Sequence, residues 1–324
     1  MNYATVPGTA PQPGAVLDAA QTAARLPWAA LVAEIAAVLQ DPGVQVVPRL
    51  VLPLPLGASL FVMPAHDARL AIAKLISFTP ANAALGQPTI QGDVLVFDIA
   101  SGQRCLMLHG PTVTARRTAA VSLLAAQRLA PNPRGPLLIV GAGVQGQAHL
   151  EAFAQGLAVQ EVVIASRADA SAQALAQRAR ALGLQARVTP DANAALADCP
   201  LVVTATPAKE IVLRTLPRAD AFVAAVGAFT PQMRELDTAF CQHCAQHGQV
   251  VMDTPDAAHE AGDLLQAGLV MAQLRTLAEV ITDARGAGKT TNQNATNGPV
   301  LFKSCGWAGW DLAAARLAMA SALP

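Results

Sequence analysis

PLLIVGAGVQGQAHLE, residues 136–151, is the stretch whose reading decides the fold. Leu137, Leu138, Ile139 and Val140 form a short apolar run of the kind that a parallel strand buried on both faces requires, and the run stops at Gly141. A helix-forming stretch begins at once. Gly141, Gly143 and Gly146 have the spacing G-x-G-x-x-G, and each glycine has a steric purpose. The first allows a tight turn out of the strand, the second lets a pyrophosphate approach the backbone, and the third lets helix pack closely on sheet. A helix starting near Val144 and Gln145 aims free N–H groups and a partial positive charge at that point. A second apolar strand, residues 161–166 (EVVIAS), arrives after one helix length. Strand, turn, helix and strand together predict a dinucleotide site in a Rossmann-type α/β domain.

Outward from this stretch, strands and helices alternate. Strands are expected at 137–140, 161–166, 201–205, 221–226 and 250–253, with helices near 145–156, 169–182 and 191–197, the pattern of a doubly wound parallel sheet. The preceding chain has another texture. A helix is expected from Trp28 to Leu39 behind Pro27. Valine- and proline-rich runs follow at 44–54, 58–63, 69–78, 93–98 and 104–109, with a Ser101-Gly102 turn, and predict an antiparallel or mixed sheet. A helix at 114–129 ends before Pro131-Asn132-Pro133-Arg134-Gly135, and a last helix is expected at 309–323. The expected organisation is an α+β domain, 1–115 with 309–324, beside a Rossmann domain, 116–308.

The 324 residues carry zero formal net charge, with basic residues scattered, so no footprint for nucleic acid or an anionic membrane is visible. No uninterrupted apolar run reaches the roughly 18 residues of a spanning helix. The first 14 residues have neither the basic nor the apolar segment of a secretion signal and read as a loose tail. Five scattered cysteines (Cys105, Cys199, Cys241, Cys244, Cys305) suggest reduced thiols and a cytoplasmic setting. Cys241, Cys244 and His247 imitate metal-ligand spacing. No distant pair completes a tetrahedral set, so no metal is expected.

Where the second strand ends, an acid would suit a ribose hydroxyl and an arginine a 2′-phosphate. Ser166-Arg167 occupies that place, which favours NADPH, with NADH as the alternative coenzyme. In the first domain Arg49, Lys74 and Arg117 are cations in partly apolar surroundings. Buried cations need anionic partners, and a small carboxylate substrate would supply one. Local acids or snorkelling would satisfy them equally well.

VTARRTAAVS (113–122), GAGVQGQAHLEAF (141–153), VGAFTPQMRELD (226–237), HEAGDLL (259–265) and LFKSCGWAGWDLAAA (301–315) together resemble the ornithine cyclodeaminase and mu-crystallin family over nearly the whole chain. The resemblance implies a homodimer whose first domain, with the last helix, binds substrate and forms the dimer. It implies that Arg49 and Arg117 hold the substrate carboxylate, that Lys74 is the active-site lysine, and that Thr89 and Gln91 line the site. Ser166-Arg167 stands where NADPH-binding members have Asn-Arg. Glu260 and Asp263 match a motif after the last strand, and Lys303 a segment returning to the cofactor. The nicotinamide is expected near Thr204, Thr206, Val226 and Gly227.

Ornithine cyclodeaminases carry an aspartate after the fifth strand, where this chain has Phe229. Phenylalanine can neither accept a proton nor pair with a second ammonium. The motif VGAFTP is closer to the branch that reduces cyclic ketimine acids, Δ1-pyrroline-2-carboxylate and Δ1-piperideine-2-carboxylate, to L-proline and L-pipecolate. Ornithine cyclodeamination, alanine- or opine-type dehydrogenation, and a non-catalytic NADPH-dependent ligand-binding role are the other readings.

Overall fold

The computed structural model describes residues 14–283 and 298–320. The expected loose tail, but for Gly14, and the last residues of the final expected helix lie outside that range. The chain divides into two compact units, with boundaries between Arg117 and Thr118 and between Trp307 and Ala308.

The first unit is built on a seven-stranded sheet. Its strands are β1 (Ala15–Val16), β2 (Gln45–Val46), β3 (Leu50–Pro53), β4 (Ser59–His66), β5 (Leu70–Phe78), β6 (Ile90–Asp98) and β7 (Arg104–His109). Their order is β1-β7-β6-β5-β4-β2, with β3 also on β4, and all pairs except β1 with β7 are antiparallel. Strand β5 shows why the sheet has a dry face: Leu70, Ile72, Lys74 and Ile76 alternate inward and are buried. One of the four is charged.

Three helices precede the second sheet: α1 (Ala19–Ala24), α2 (Trp28–Val38) and α3 (Gly110–Leu129). Helix α1 was not expected from apolar periodicity. Its signal is the reciprocal cap Asp18-x-x-Gln21, in which Asp18 accepts from the Gln21 N–H and the Gln21 side chain accepts from the Asp18 N–H. Helix α3 starts four residues earlier than its alanine-rich stretch suggests. Pro111 suits a first turn, and a Cβ on Gly110 would meet the Gly92 carbonyl oxygen at 2.5 Å, so the helix start sits directly on β6.

The second unit holds β8 (Leu137–Val140), β9 (Glu161–Ala165), β10 (Gln185–Thr189), β11 (Leu201–Thr204), β12 (Phe222–Ala225), β13 (Gln249–Met252), β14 (Arg275–Thr276) and β15 (Val300–Lys303). All are parallel, in the order β10-β9-β8-β11-β12-β15-β13-β14. Its helices are α4 (Val144–Gly156), α5 (Asp169–Ala181), α6 (Ala192–Ala195), α7 (Thr238–His247), α8 (Gly262–Gln266) and α9 (Leu277–Asp283). The sheet is the doubly wound Rossmann type, and the chain reverses direction between β8 and β11. In such sheets ligands bind outside the carboxyl ends of the strands at that reversal.

Three strands of this sheet were not anticipated, among them the two-residue β14. β10 is an edge strand with alternating exposure, too polar to read as a buried run. β15 is fully buried but only four residues long, and it inserts between β12 and β13 out of chain order. Consequently β13, which the motif containing Glu260 and Asp263 follows, is not the last strand.

The last helix, α10 (Ala308–Ala320), returns to the first unit and packs on α2, β4 and β5. It is apolar nearly all round, as a helix enclosed on all sides must be. Trp310, Leu312, Ala313, Ala314 and Ala315 are fully buried, and so is Asp311.

Candidate active site

Each unit carries its own cluster of functional groups. In the first unit, helical geometry separates the consecutive Arg116 and Arg117. Arg116 stacks over Trp28 at 4.0 Å and donates to the Leu26 carbonyl at 2.8 Å. Arg117 turns inward and is 6% exposed. Lys74 is fully buried, and its Nζ donates to Asp311 Oδ1 at 3.0 Å. Arg117 Nε lies 3.4 Å from the same oxygen. Burial, reinforced by the charges of Arg117 and Arg49 and opposed by Asp311, pushes the Lys74 ammonium down to about 8. An ammonium in that range holds its proton at neutral pH and gives it up readily.

Arg49 is half-buried ahead of β3, near enough for its charge to act on Lys74. Thr89 lies just before β6, its carbonyl accepting from the Thr79 N–H at 2.8 Å. Gln91 is exposed and pairs with Ser77, whereas Lys74 pairs with Val94 and Met63. Residues opposite one another share a face, so Gln91 lies on the face of the sheet that Lys74 does not occupy.

In the second unit, Gly141 has φ +110°, and a Cβ there would meet the Ala205 carbonyl oxygen at 2.4 Å. A Cβ on Gly146 would stand 2.0 Å from the Gly141 carbonyl oxygen. The turn is therefore closed by two backbone contacts that only glycine permits. Gly143 differs: nothing lies within 4 Å of where its Cβ would be, and it is exposed at the start of α4. That open cradle, at the N-terminus of α4 where first-turn amides point out of the helix, fits a pyrophosphate. Ser166 and Arg167 follow β9, and Arg167 is solvent-exposed, 3.9 Å from Glu210. So loose a surface pair leaves its guanidinium available to a phosphate.

The carboxyl ends of β11 and β12 are tied together by Glu235, which sequence reasoning passed over. Its Oε1 accepts from the Thr206 N–H at 2.7 Å and the Thr206 hydroxyl at 2.9 Å. Its Oε2 accepts from the Thr204 hydroxyl at 3.0 Å and the Gly227 N–H at 2.7 Å. Complete burial raises the carboxyl above its ordinary range. Val226, half-buried beside this knot, donates its N–H to the Thr204 carbonyl at 3.0 Å. Phe229 packs partly buried against the apolar core of the unit.

Below the knot, Asp263 accepts from the N–H groups of Glu235 and Leu236 at 2.7 and 2.9 Å and pairs with Lys303 at 3.0 Å. Lys303 is fully buried and also donates to the Ala225 carbonyl at 3.2 Å. Burial opposes its charge, but Asp263, Cys305 and Glu235 outweigh that and raise its affinity for the proton. It lies beneath the strand ends, which it braces. Asp253, another residue without a sequence-based role, accepts from the Ser304 hydroxyl at 2.7 Å and the N–H groups of Cys305 and Gly306 at 3.1 and 3.0 Å, fixing the exit of β15. Glu260 is half-buried at the end of a short 3-10 turn.

Cys241 and Cys244 face the core from α7, and burial raises both thiols, Cys244 to about 12. They behave as small apolar residues. No helix among the described residues is long and apolar enough to cross a membrane.

A Rossmann-type unit with a glycine turn open to phosphate, in one chain with a buried lysine–arginine cluster, defines an NAD(P)-binding α/β protein of the oxidoreductase kind. The chain belongs to the ornithine cyclodeaminase/mu-crystallin family, whose model matches residues 24–323. It is similar to Delta(1)-pyrroline-2-carboxylate reductase 1 of Burkholderia multivorans, 40% identical over 314 residues that cover 94% of each chain. It is also similar to the Delta(1)-pyrroline-2-carboxylate/Delta(1)-piperideine-2-carboxylate reductase of Azospirillum brasilense, 38% identical over 319 residues and 96% of each. Among solved structures, Thermococcus litoralis Delta(1)-pyrroline-2-carboxylate reductase in complex with NADH and L-proline superposes with a TM-score of 0.85. It covers 94% of this chain and 96% of that one at 22% identity, a likeness of fold.

Proposed function

We propose that this protein is an NAD(P)H-dependent ketimine reductase that converts Δ1-pyrroline-2-carboxylate and Δ1-piperideine-2-carboxylate to L-proline and L-pipecolate. The observation that carries the reading is the buried cluster of Lys74 and Arg117 around Asp311, in a chain whose relatives at 38–40% identity bear that activity in their names. Domains divide the work: the first unit with α10 binds substrate and forms a homodimer, and the second binds coenzyme.

When bound, NADPH supplies a hydride to C2 of the imine. Arg49 and Arg117 hold the substrate carboxylate by charge-assisted hydrogen bonds and so fix the orientation of the flat ring. Lys74 gives a proton to the ring nitrogen. Thr89 would line the edge of this site, and Phe229 would offer an apolar wall suited to ring methylenes. The aspartate of ornithine cyclodeaminases is absent at Phe229, so a substrate's second ammonium would find no partner there. Gly141 to Gly146 would cradle the pyrophosphate, and the strand ends fixed by Glu235 through Thr204, Thr206 and Gly227, with Val226 bonded to Thr204, would face the nicotinamide. Arg167, next to Ser166, takes the 2′-phosphate.

Arg117→Ala is expected to remove a charge-assisted pair worth about 1.5–3 kcal/mol, a loss of roughly ten- to a hundredfold in kcat/KM for the imine acids. Unchanged kinetics would argue against the carboxylate clamp. Arg167→Ala is expected to weaken NADPH binding by roughly tenfold or more and to leave NADH binding almost unchanged, because only the former carries the phosphate. Fluorescence titration with each coenzyme reads this directly. The function itself is tested by following NADPH absorbance with the two imine acids, pyruvate plus ammonia, and L-ornithine in parallel. Turnover confined to the imine acids is expected. Consumption with pyruvate and ammonia alone would make the enzyme an amino-acid dehydrogenase.

A further inference from the structure

We propose that Asp311 is a positioning residue that sets both the direction and the proton affinity of Lys74, one carboxylate oxygen on the last helix anchoring the lysine and Arg117 together. The proposal rests on the reductase reading, in which Lys74 is the proton donor. Its geometry is independent of that reading. Asp311 is fully buried between Trp310 and Leu312, in the first turn of a helix whose one other charged residue, Arg316, has acidic partners of its own in Glu34, Asp41 and Asp67. A carboxylate there is costly unless it serves charged partners. Its Oδ1 stands 3.0 Å from Lys74 Nζ and 3.4 Å from Arg117 Nε, and its Oδ2 is buried with no hydrogen-bond partner among the described residues.

The charged groups that face Lys74 are Asp311 from α10, Arg117 from α3 and Arg49 ahead of β3. Its cross-strand partners, Met63 and Val94, add no charge. Burial and the two guanidinium groups all drive the proton off Lys74, and Asp311 opposes them. Without the carboxylate, the lysine would be neutral over the range in which it must donate. Asp311 therefore keeps the donor charged while its surroundings keep it acidic, and the shared oxygen holds Arg117 in register with it. An acidic residue with only a packing role would leave the titration of Lys74 where it is.

The chain has four lysines, Lys74, Lys209, Lys289 and Lys303, so a sample labelled with 13C at lysine Cε gives a short spectrum, and loss of one signal in Lys74→Met assigns Lys74. In full-length Asp311→Asn, the Lys74 signal is expected to titrate at least about one pH unit lower than in the wild type. The high-pH limb of kcat/KM for Δ1-pyrroline-2-carboxylate should move down with it. Loss of activity should be about tenfold greater for each unit of that displacement on the alkaline side than on the acid side. NADPH affinity should not change. Asp311→Glu, which keeps the charge, should hold the limb near its wild-type position at a reduced rate, and it serves alone if the asparagine variant does not fold. A Lys74 titration unmoved in Asp311→Asn, or a limb displaced equally in Asp311→Glu, would overturn the proposal. A wild type that turns over no imine acid would overturn the reductase reading instead, and the resonance of Lys74 would still decide the role of Asp311.

Discussion

Lys74→Met is expected to lower kcat on the cyclic imine acids by about 10²–10⁴-fold while leaving NADPH affinity within roughly twofold of the wild type. Methionine matches the lysine stem in length and is apolar, so it fits an inward position of β5 between Met63 and Val94. Asp311 keeps Arg117 as a partner at 3.4 Å, which spares it from complete isolation. The lost function is the proton. In the wild type, Lys74 donates from its charged form, so activity should fall as pH rises through about 8 and should not fall for that reason below it. Steady-state rates from pH 6 to 10 test the sign. Activity that climbs through this range, or a methionine variant that retains full kcat, would remove Lys74 from the chemistry.

Gly146→Ala is expected to weaken NADPH binding by about a hundredfold or more and to cost about 1–3 kcal/mol of stability. The new methyl would stand 2.0 Å from the Gly141 carbonyl oxygen, a backbone atom, with the Ile139 side chain 3.3 Å away. Either α4 lifts from β8 or the turn opens, and each displaces the amides meant for the phosphates. Gly143→Ala separates the two effects. Nothing lies within 4 Å of its added methyl, so the fold should lose only the glycine-to-alanine difference at a helix N-cap, about 1 kcal/mol or less, while the methyl enters the space meant for the pyrophosphate. Thermal melts with coenzyme titrations should show Gly146→Ala impaired in both and Gly143→Ala impaired in coenzyme binding alone. Wild-type affinity in Gly143→Ala would place the pyrophosphate elsewhere.

The second unit was legible because its signal is steric and local. A buried strand, a turn that only glycine can make and a helix start lie within 16 consecutive residues, 136–151. Lys74 was legible for a related reason, being a charge at an inward position of an alternating strand. Its partner was not. Asp311 lies 237 positions away in the chain and looked like one residue of a motif, and nothing local in LFKSCGWAGWDLAAA says which cation it meets. Glu235 was hidden by its neighbour, since Arg234-Glu235 reads as a surface pair, whereas the fold buries the glutamate among four donors from three other residues.

The face taken by Gln91 and the burial of Lys303 share a cause. Strand register and strand order are tertiary properties. Pairing of β6 with β5 decides which face Gln91 takes, and insertion of β15 between β12 and β13 decides that Lys303 lies beneath the sheet end with Asp263. Neither is written in the local pattern of either strand.

The most direct test is to supply NADPH carrying deuterium at the transferable C4 position together with Δ1-pyrroline-2-carboxylate and to examine the amino acid formed. L-Proline with one deuterium at Cα, produced in step with coenzyme oxidation, is the predicted result. Binding of the coenzyme without its consumption, or release of ammonia from L-ornithine in place of imine reduction, would contradict it.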